Sequence, residues 1–289
     1  MLSCWVCNAS LEDYFSKTFS PKEQECFGLQ TANYWRCPQC GLVVSKTHLD
    51  MSDDTWGRLN YRAHDSYQGK DTSPEADPGW LERLQEQARI LADLANWGVL
   101  PSPGPWVDFG CGDGRLADQL AQLGRPMQKF DRYMQGGGFL SESELKAQPF
   151  QLTLNCSVLE HVRDRDTLDE IASLVDADQG VLAFHTLVRE EVPADPSWFY
   201  LLPIHCAFFS NQAMAMLLEQ WGFRSSLYHA PSRLWFCFRQ ERSELPDLLR
   251  RCDPAGVEGG AYAYKKGFMD YWRKDGIAAE WVLKKEEKI

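Results

Sequence analysis

The chain has 289 residues, and its 44% hydrophobic and 12% aromatic content is enough to build a core, which excludes wholesale disorder. The 41 acidic residues outnumber the 30 basic ones, and the net charge of −11 disfavours binding to a nucleic-acid backbone. No apolar run reaches the roughly 20 residues that span a bilayer, so we expect no membrane segment. The N-terminus lacks the pattern of a signal peptide, which predicts a cytoplasmic protein.

Residues 1–50 contain two Cys-x-x-Cys pairs, Cys4 with Cys7 and Cys37 with Cys40. Four thiolates with this spacing hold zinc tetrahedrally, and because no ligand position stays open, the metal is expected to be structural. Asn8 and Gly41 follow the two pairs, and both tolerate the positive φ that such turns need. The 29 residues between the pairs predict a hairpin with an elaborated loop.

Two alternatives accompany the zinc interpretation. Cys26 and His48 are spare candidate ligands in the same segment. One of the pairs could also be redox-active or simply buried. That alternative is disfavoured because neither pair stands at the strand-to-helix junction of a thioredoxin-like motif.

Four segments follow from the pattern along the chain: a ribbon at 1–50, a polar, turn-rich linker or cap at 51–78, a core at 79–240 and an extension at 241–289. The core alternates helices and strands, which predicts an α/β fold with a doubly wound sheet. The predicted elements are a helix at 80–98, strands near 106–109, 127–131, 151–156 and 180–186, and a helix at 210–222 capped by Ser210. A hairpin over 223–240 ends the sheet. The extension has no assigned role.

A glycine-rich turn stands between the first core strand and its helix, with Gly110, Gly112 and Gly114 preceded by Asp108. A dinucleotide fingerprint would place the third glycine one position later. The simplest alternative is a tight turn without a ligand. However, Asp131 ends the next strand about twenty residues on, where an acid suits the hydroxyls of a ribose.

On these residues the chain resembles the class I S-adenosylmethionine (SAM)-dependent methyltransferases, whose first motif is Asp/Glu-x-Gly-x-Gly-x-Gly. The resemblance covers about residues 80–240 and implies a Rossmann-like, seven-stranded methyltransferase sheet with a C-terminal β-hairpin, here preceded by the small zinc ribbon. It also implies a set of cofactor contacts: Asp108 orienting the ammonium, Asp131 holding the ribose, and Phe109, Gly110, Gly112, Gly114 and Cys156 lining the site.

A second motif supports the same resemblance. Residues 158–162 read Val-Leu-Glu-His-Val, a run that is common after the family's fourth strand. Gln151 replaces the usual Asp at the start of that strand, and the third strand is hard to locate within 135–143. Leu140 and Ser141 lie in the region expected to contact adenine.

The ribbon and the tyrosine-rich connector NYRAHDSY narrow the resemblance to a bacterial subgroup that includes methyltransferases for deoxysugars and other small metabolites. The sugar C-methyltransferases of this subgroup carry Tyr-x-x-His-Phe-x-x-Phe-Ser. Residues 205–210 keep the His and the Phe-Ser, but Leu202 stands where the tyrosine belongs. This departure argues against a C-methylation mechanism.

Methyl transfer to a hydroxyl requires a group that removes the proton, and histidine suits this task near neutral pH. His205 is the best candidate because it lies in a long insertion after the fifth strand, and such insertions carry substrate contacts. His161, one turn into the following helix, is the second candidate. The other histidines are not expected to act in catalysis. His48, His64 and His229 are predicted to be surface groups, and His185 is predicted to be a strand-end residue bonded to the backbone. The aromatic residues Trp198, Phe199 and Tyr200 either line an acceptor pocket or pack in the core.

The sequence therefore predicts a SAM-dependent methyltransferase acting on a small-molecule acceptor such as a sugar or another metabolite hydroxyl. One alternative is a methyltransferase for a protein or an RNA docked by the ribbon. The ribbon holds only four basic residues, which argues against RNA but leaves a protein partner open. Another alternative is a non-catalytic SAM-binding adaptor.

Overall fold

The computed structural model describes residues 2–67, 78–134, 137–270 and 282–283. Within these residues the strands are β1 (Glu12–Thr18), β2 (Thr31–Arg36), β3 (Val43–Ser45), β4 (Trp106–Phe109), β5 (Gln128–Phe130), β6 (Leu152–Cys156), β7 (Val181–His185), β8 (Val188–Arg189), β9 (Ala207–Ser210), β10 (Ser225–His229), β11 (Leu234–Phe238) and β12 (Tyr262–Lys266). The helices are α1 (Pro21–Phe27), α2 (Lys46–Leu49), α3 (Asp53–Tyr67), α4 (Pro78–Asn96), α5 (Arg115–Gln122), α6 (Glu142–Leu145), α7 (Arg165–Ser173), α8 (Asn211–Gln220), α9 (Leu245–Cys252) and α10 (Pro254–Glu258). A 3-10 turn spans Leu159–His161.

The larger sheet has seven strands in the order β12-β10-β11-β7-β6-β4-β5, which confirms the predicted α/β class and strand number. Strands β5, β4, β6 and β7 are parallel. In the predicted hairpin, β11 pairs antiparallel with β7, and β10 pairs antiparallel with β11. The seventh strand arises in an unexpected way. The segment after β5 contributes only a single parallel bridge, Lys129 to Phe139, whereas β12 from the unassigned extension pairs with β10.

A second sheet has the order β1-β2-β3-β9-β8. The N-terminal ribbon supplies the antiparallel strands β1, β2 and β3, and the hairpin between the cysteine pairs carries α1 in its loop, as predicted. Strands β8 and β9 come from the insertion after β7, and β9 pairs with β3 through Val43 and Val44. The ribbon and the insertion thus form one continuous sheet.

Two apolar cores cover the two faces of the seven-stranded sheet. On one face, α4 and α5 pack their buried leucines against β4, β6 and β11. On the other face, Phe184, Phe209 and Leu217 pack together with Cys40 and Leu42 of the ribbon. Burial of the ribbon against this face makes it part of the main core.

Residues 53–67 form a helix, where the sequence indicated only a polar linker or cap. The reason is visible in hindsight: Trp56, Leu59, Asn60 and Ala63 are buried and follow the i, i+3, i+4, i+7 spacing of a helix face. Charged neighbours mask this pattern in the composition. The turn-rich residues 68–77 lie outside the described part of the chain.

Local signals placed the helix ends correctly. The Ser210 hydroxyl accepts a hydrogen bond from the Ala213 amide and caps α8, as predicted, and Gly222 ends that helix region with a φ of 82°. In the described part of the chain, no helix combines the length and the apolar character needed to cross a bilayer.

Candidate active site

The glycine-rich turn joins β4 to α5. Gly110, Gly112 and Gly114 have φ values of 74°, 57° and 80°, in the left-handed region that favours glycine. A Cβ on Gly110 would lie 2.5 Å from Cγ2 of Val158, whereas a Cβ on Gly112 would have no described atom within 4 Å. Packing therefore requires glycine at 110, and glycine at 112 leaves the backbone open to a ligand.

Two acids flank this turn. Burial and the neighbouring carboxylate of Asp131 raise the pKa of Asp108 to about 7. The Asp131 carboxylate follows β5 and accepts hydrogen bonds from the amides of Gly112, Tyr133 and Met134 at 2.9, 2.8 and 3.1 Å. Asp131 thus ties the glycine turn to the end of the next strand, and its remaining lone pairs are available to a ligand hydroxyl.

The end of β6 meets the same edge of the sheet. Burial, reinforced by Asp108, raises the pKa of the Cys156 thiol well above its usual value, so this thiol stays protonated. Ser157 adopts a φ of 57°, which is uncommon for a residue with a side chain, and its amide donates to the His185 carbonyl at 2.8 Å. This bond turns the chain so that Ser157 faces the cavity described next.

A cavity of about 580 Å³ lies above this sheet edge, within the size range of small-molecule sites. Gly110 and Asp131 line it from the sheet side. Trp56 of α3, His161 and Ile204 line it from the opposite side. The helix that the sequence left as a linker is therefore one wall of the site.

Arg163 fastens α3 to the core. Its guanidinium donates to the Met51 carbonyl at 2.8 Å, forms an ion pair with Asp53 and lies 5.2 Å from the ring centre of Trp56. Because the guanidinium is planar and its N–H donors point in fixed directions, these three contacts together define one position of the side chain. Arg163 thus fixes the position of the helix wall.

A polar cluster stands beside the cavity. Glu160 is 1% exposed, and its carboxylate accepts from the hydroxyls of Tyr200 at 2.6 Å and Thr186 at 2.8 Å. His205 is 5% exposed and donates from Nδ1 to the Tyr200 carbonyl at 2.7 Å, so the neutral ring carries its lone pair on Nε2. The ring centres of His161 and His205 are 4.9 Å apart, and one ligand atom each from Glu160, His161 and His205 lie within 4.8 Å of one another. The structure brings both sequence-predicted histidines together.

Two other histidines differ from expectation. His48 is buried: its Nδ1 accepts from the Ser45 hydroxyl at 2.6 Å and its Nε2 donates to the Pro203 carbonyl at 2.9 Å. His229 is also buried and contacts the Ser232 hydroxyl at 2.9 Å. The prediction of surface positions was wrong for both, and burial lowers the pKa of His48 to about 4 and that of His229 to about 3.

The prediction that His185 is a strand-end residue bonded to the backbone is confirmed. Its Nδ1 donates to the Arg233 carbonyl at 3.0 Å. The side chain of His64 lies outside the described residues. Cys26 is exposed and stands apart from the cysteine cluster, as does His48, so neither spare ligand joins it.

The two cysteine pairs converge. The Sγ atoms of Cys4 and Cys40 are 3.4 Å apart, those of Cys7 and Cys37 are 3.3 Å apart, and all four lie within 4.8 Å of one another. Bonds of about 2.3 Å to a tetrahedral zinc would separate sulfurs by about 3.8 Å. The hydrogen bond that Cys4 and Cys40 share lowers the pKa of the Cys4 thiol and raises that of Cys40. The donor set and its spacing fit a thiolate-bound metal.

Each pair forms the expected tight turn. The amides of Asn8 and Gly41 donate to the carbonyls of Cys4 and Cys37, both at 3.0 Å. Asn8 has a φ of 62° and Gly41 a φ of 75°, which confirms the positive φ predicted for these two positions.

The ribbon holds the insertion that carries His205. Hydrogen bonds and ion pairs link the two from five ribbon residues: Tyr14 to the Val192 carbonyl, Lys17 to the Leu201 carbonyl, Arg36 to Glu191, the Ser45 amide to the Cys206 carbonyl, and His48 to the Pro203 carbonyl. With the pairing of β3 and β9, these contacts make the ribbon a scaffold for one wall of the cavity.

Sequence reasoning missed three residues of this site. Glu160 stood inside a motif that was noted, but it received no role. Arg163 lies two residues after His161, and only the fold shows that it reaches α3. Trp56 had a usable signal in its helical spacing to Leu59 and Ala63.

Comparison with known proteins agrees with this architecture. Residues 80–226, just over half of the chain, match the family model described as a methyltransferase domain. A search of curated protein sequences finds no match.

Solved structures with a similar fold include three methyltransferases. Magnesium protoporphyrin IX methyltransferase (ChlM) of Synechocystis PCC 6803 is 17% identical, with 65% of this chain and 97% of that chain covered and a TM-score of 0.43. The 1,6-didemethyltoxoflavin-N1-methyltransferase of Burkholderia thailandensis is 14% identical, with 72% and 93% covered and a TM-score of 0.45. The N-methyltransferase NodS of Bradyrhizobium japonicum WM9 is 15% identical, with 63% and 98% covered and a TM-score of 0.41.

The family match falls on the segment that contains the glycine turn, both flanking acids and the Glu-His motif. This chain belongs to the methyltransferase-domain family and is a class I SAM-dependent methyltransferase.

Proposed function

We propose that the protein transfers a methyl group from SAM to a hydroxyl of a small-molecule acceptor, such as a sugar or another metabolite. The observation that carries this proposal is the cavity of about 580 Å³ between the glycine turn and the wall formed by α3 and the insertion. An acceptor that enters this walled space is small, whereas a protein or RNA acceptor would need an open surface beside the cofactor edge.

The geometry of the sheet edge supports the proposed cofactor contacts. Gly112 leaves its backbone open, and the buried acid Asp108 lies behind the turn. The Asp131 carboxylate, with lone pairs left after three amide contacts, suits the two hydroxyls of the ribose. Phe109, Gly110, Gly114 and Cys156 complete the proposed set. When bound, SAM supplies an electrophilic methyl group on a positively charged sulfur.

His205 and His161 are the residues proposed to activate the acceptor hydroxyl. The Nδ1 proton of His205 is held by a backbone carbonyl, which leaves Nε2 as the functional atom. Burial lowers the pKa of His205 to about 4, so the imidazole is neutral at pH 7 and offers a lone pair. An imidazole this weakly basic removes a hydroxyl proton poorly by itself, and a second electrostatic contribution is needed.

We also propose that the four-cysteine cluster binds one zinc ion with a structural role. All four ligand positions are thiolates, which leaves no open position for chemistry. The support is the convergence of four Sγ atoms in two tight turns. Zinc would then stabilise the ribbon and, through it, the insertion that carries His205.

The experiment that tests the function is a SAM-consumption screen. Purified protein is incubated with SAM and acceptors grouped as sugars, phenols, amines, peptides and RNA, and the products are identified by mass spectrometry. We expect a mass increase of one methyl group on a small hydroxyl-bearing acceptor. Methylation of peptide or RNA alone would overturn the small-molecule proposal, and SAM binding without any product would indicate an adaptor.

A further inference from the structure

Beside the cavity, and separate from the cysteine cluster, three side chains of different type converge. Glu160, His161 and His205 each place one ligand atom within 4.8 Å of the other two. We propose that these three residues bind a divalent first-row transition metal ion such as Mn²⁺. The ion's role in the reaction rests on the proposed function, but its binding does not.

The carboxylate gives the first reason. Glu160 is 1% exposed, and within the described residues no lysine or arginine forms an ion pair with it. A buried charge is stable only when it is paired or coordinates a cation. The hydroxyls of Tyr200 and Thr186 each occupy one lone pair, on different oxygens, so each oxygen retains one for a metal.

The imidazole of His205 gives the second reason. Its Nδ1 proton is donated to the Tyr200 carbonyl at 2.7 Å, which orients the ring and places the lone pair on Nε2. Metal-bound histidines have this arrangement, in which the second nitrogen donates to a carbonyl or carboxylate.

The relative orientation of the two rings gives the third reason. The planes of His161 and His205 meet at 88° with centres 4.9 Å apart, so the rings do not stack, and one nitrogen of each lies within 4.8 Å of the other. Two imidazole nitrogens and one carboxylate oxygen are the donors that suit Mn²⁺, Fe²⁺, Co²⁺ or Zn²⁺ more than Ca²⁺ or Mg²⁺. Three protein ligands also leave coordination positions open to an acceptor.

The proposed metal site lies beside the cavity in which methyl transfer is proposed to occur. His161 lines the cavity together with Ser157 and Gly110 of the cofactor edge. With a cation bound, His161 and His205 would activate the acceptor as ligands and not as bases: the cation would lower the pKa of an acceptor hydroxyl, which loses its proton to water. The oxygen then forms the new O–C bond while the S–C electron pair returns to sulfur, so no oxidant or reductant is needed. An acceptor with two neighbouring oxygens fits the open positions best.

The test is a Mn²⁺ titration of the full-length protein that carries one equivalent of zinc, the amount its cysteine cluster would bind, with excess zinc removed. Free Mn²⁺ is followed by its electron paramagnetic resonance signal, because Mn²⁺ prefers nitrogen and oxygen ligands to thiolates. We expect one bound Mn²⁺ per wild-type chain and at least tenfold weaker binding in Glu160→Gln and in His205→Ala. The matched controls Glu219→Gln and His185→Gln, which change the same residue types outside the cluster, should bind as the wild type does.

Circular dichroism and thermal unfolding verify that each variant is folded, and His161→Gln replaces any variant that is not. A wild-type protein that binds no Mn²⁺, or cluster variants that bind it with unchanged affinity, would overturn the proposal. The titration needs neither SAM nor acceptor. Methylation without Mn²⁺ binding would therefore reject the cation alone, and Mn²⁺ binding without methylation would reject the proposed acceptor alone.

Discussion

The two sheets of this protein differ in how far apart along the chain their strands lie. In the larger sheet, β4 and β5 are joined by a glycine turn and one short helix, and the hairpin of β10 and β11 needs only a short turn. In the smaller sheet, β3 at Val43–Ser45 pairs with β9 at Ala207–Ser210, more than 150 residues later. We propose that the first sheet binds the cofactor and that the second supports the acceptor wall, so the two functions would depend on different kinds of contact.

This difference has a consequence for stability. The parallel strands are held by cores on both faces, whereas the smaller sheet depends on the ribbon, whose apolar residues pack into one of these cores and into a separate apolar cluster and whose two cysteine turns we propose to be stabilised by a metal. We expect the acceptor wall to fail before the cofactor edge does. The following predictions, from the largest effect to the smallest, test that separation.

Cys37→Ser should have the largest effect. A closed four-thiolate zinc site contributes about 10–16 kcal/mol to the folding of isolated finger peptides, so the variant should lose its metal and unfold the ribbon. Because β3 holds β9, methyl transfer should be lost as well. Metal content and thermal unfolding measure the result. Cys26→Ser, an exposed cysteine outside the cluster, is the control and should behave as wild type. Less than half an equivalent of metal in wild-type protein purified without chelator would refute this account.

His205→Ala should act on turnover alone. Removing the group proposed to activate the acceptor should lower kcat by about 10²-fold or more while SAM affinity stays nearly constant, since the proposed role of His205 involves the acceptor and not the cofactor. His161→Ala should weaken both if that residue also orients the cofactor. The measurement is kcat with the acceptor from the screen, beside SAM affinity by calorimetry. Retention of more than about a tenth of wild-type turnover would reduce His205 to a packing role.

Asp131→Ala should act on the cofactor edge alone. Charge-assisted hydrogen bonds contribute about 1.5–3 kcal/mol each, so the loss of the ribose contacts should weaken SAM binding tenfold or more. Asp113→Ala is the matched control, because Asp113 lies in the same turn and forms an ion pair with Arg115 at the surface. Calorimetry with SAM and with NAD is the measurement. Tight NAD binding, or an unchanged SAM affinity, would reverse the cofactor assignment.

Asp108→Asn should give the smallest effect, a change in the pH dependence of stability. The pKa of Asp108 is raised to about 7 in the folded protein, against about 3.9 in an unfolded chain, so the folded state binds more protons between these values. Wild-type stability therefore falls, through this group, as pH rises across that window, by up to about 1.4 kcal/mol per pH unit. The variant lacks this loss, so its unfolding free energy relative to wild type should increase from pH 5 to pH 8. A constant difference across that range would show that Asp108 titrates normally.

Particular residues show how far the sequence could predict the structure. The glycine turn, Asp131, the Ser210 cap and the hairpin are local patterns, and each was placed correctly. The pairing of Val44 with Ala207 has no local signature, because it brings together segments from opposite ends of the chain. Burial of His48 follows from that same pairing, and for this reason the residue was expected at the surface.

The candidate site divides in the same way. The proposed cofactor residues lie in the glycine motif or at the ends of neighbouring strands, which a pattern can reveal. Glu160, Tyr200 and His205 come together only because the insertion folds back toward the end of β6. Neither residue spacing nor composition predicts this long-range contact. Helix α3 lies between these two cases. Its apolar residues have a helical spacing that could have been recognised, but they stand among charged residues.

Hydrogen exchange with and without the metal tests the division between the two sheets most directly. Full-length protein is compared before and after removal of the metal by a chelator, and exchange is followed peptide by peptide. We predict much faster exchange in β3 and β9, with β4 and β6 still protected and SAM still bound. Uniformly faster exchange across both sheets, or unchanged protection in β9, would contradict the claim that the ribbon metal supports the acceptor wall separately from the cofactor edge.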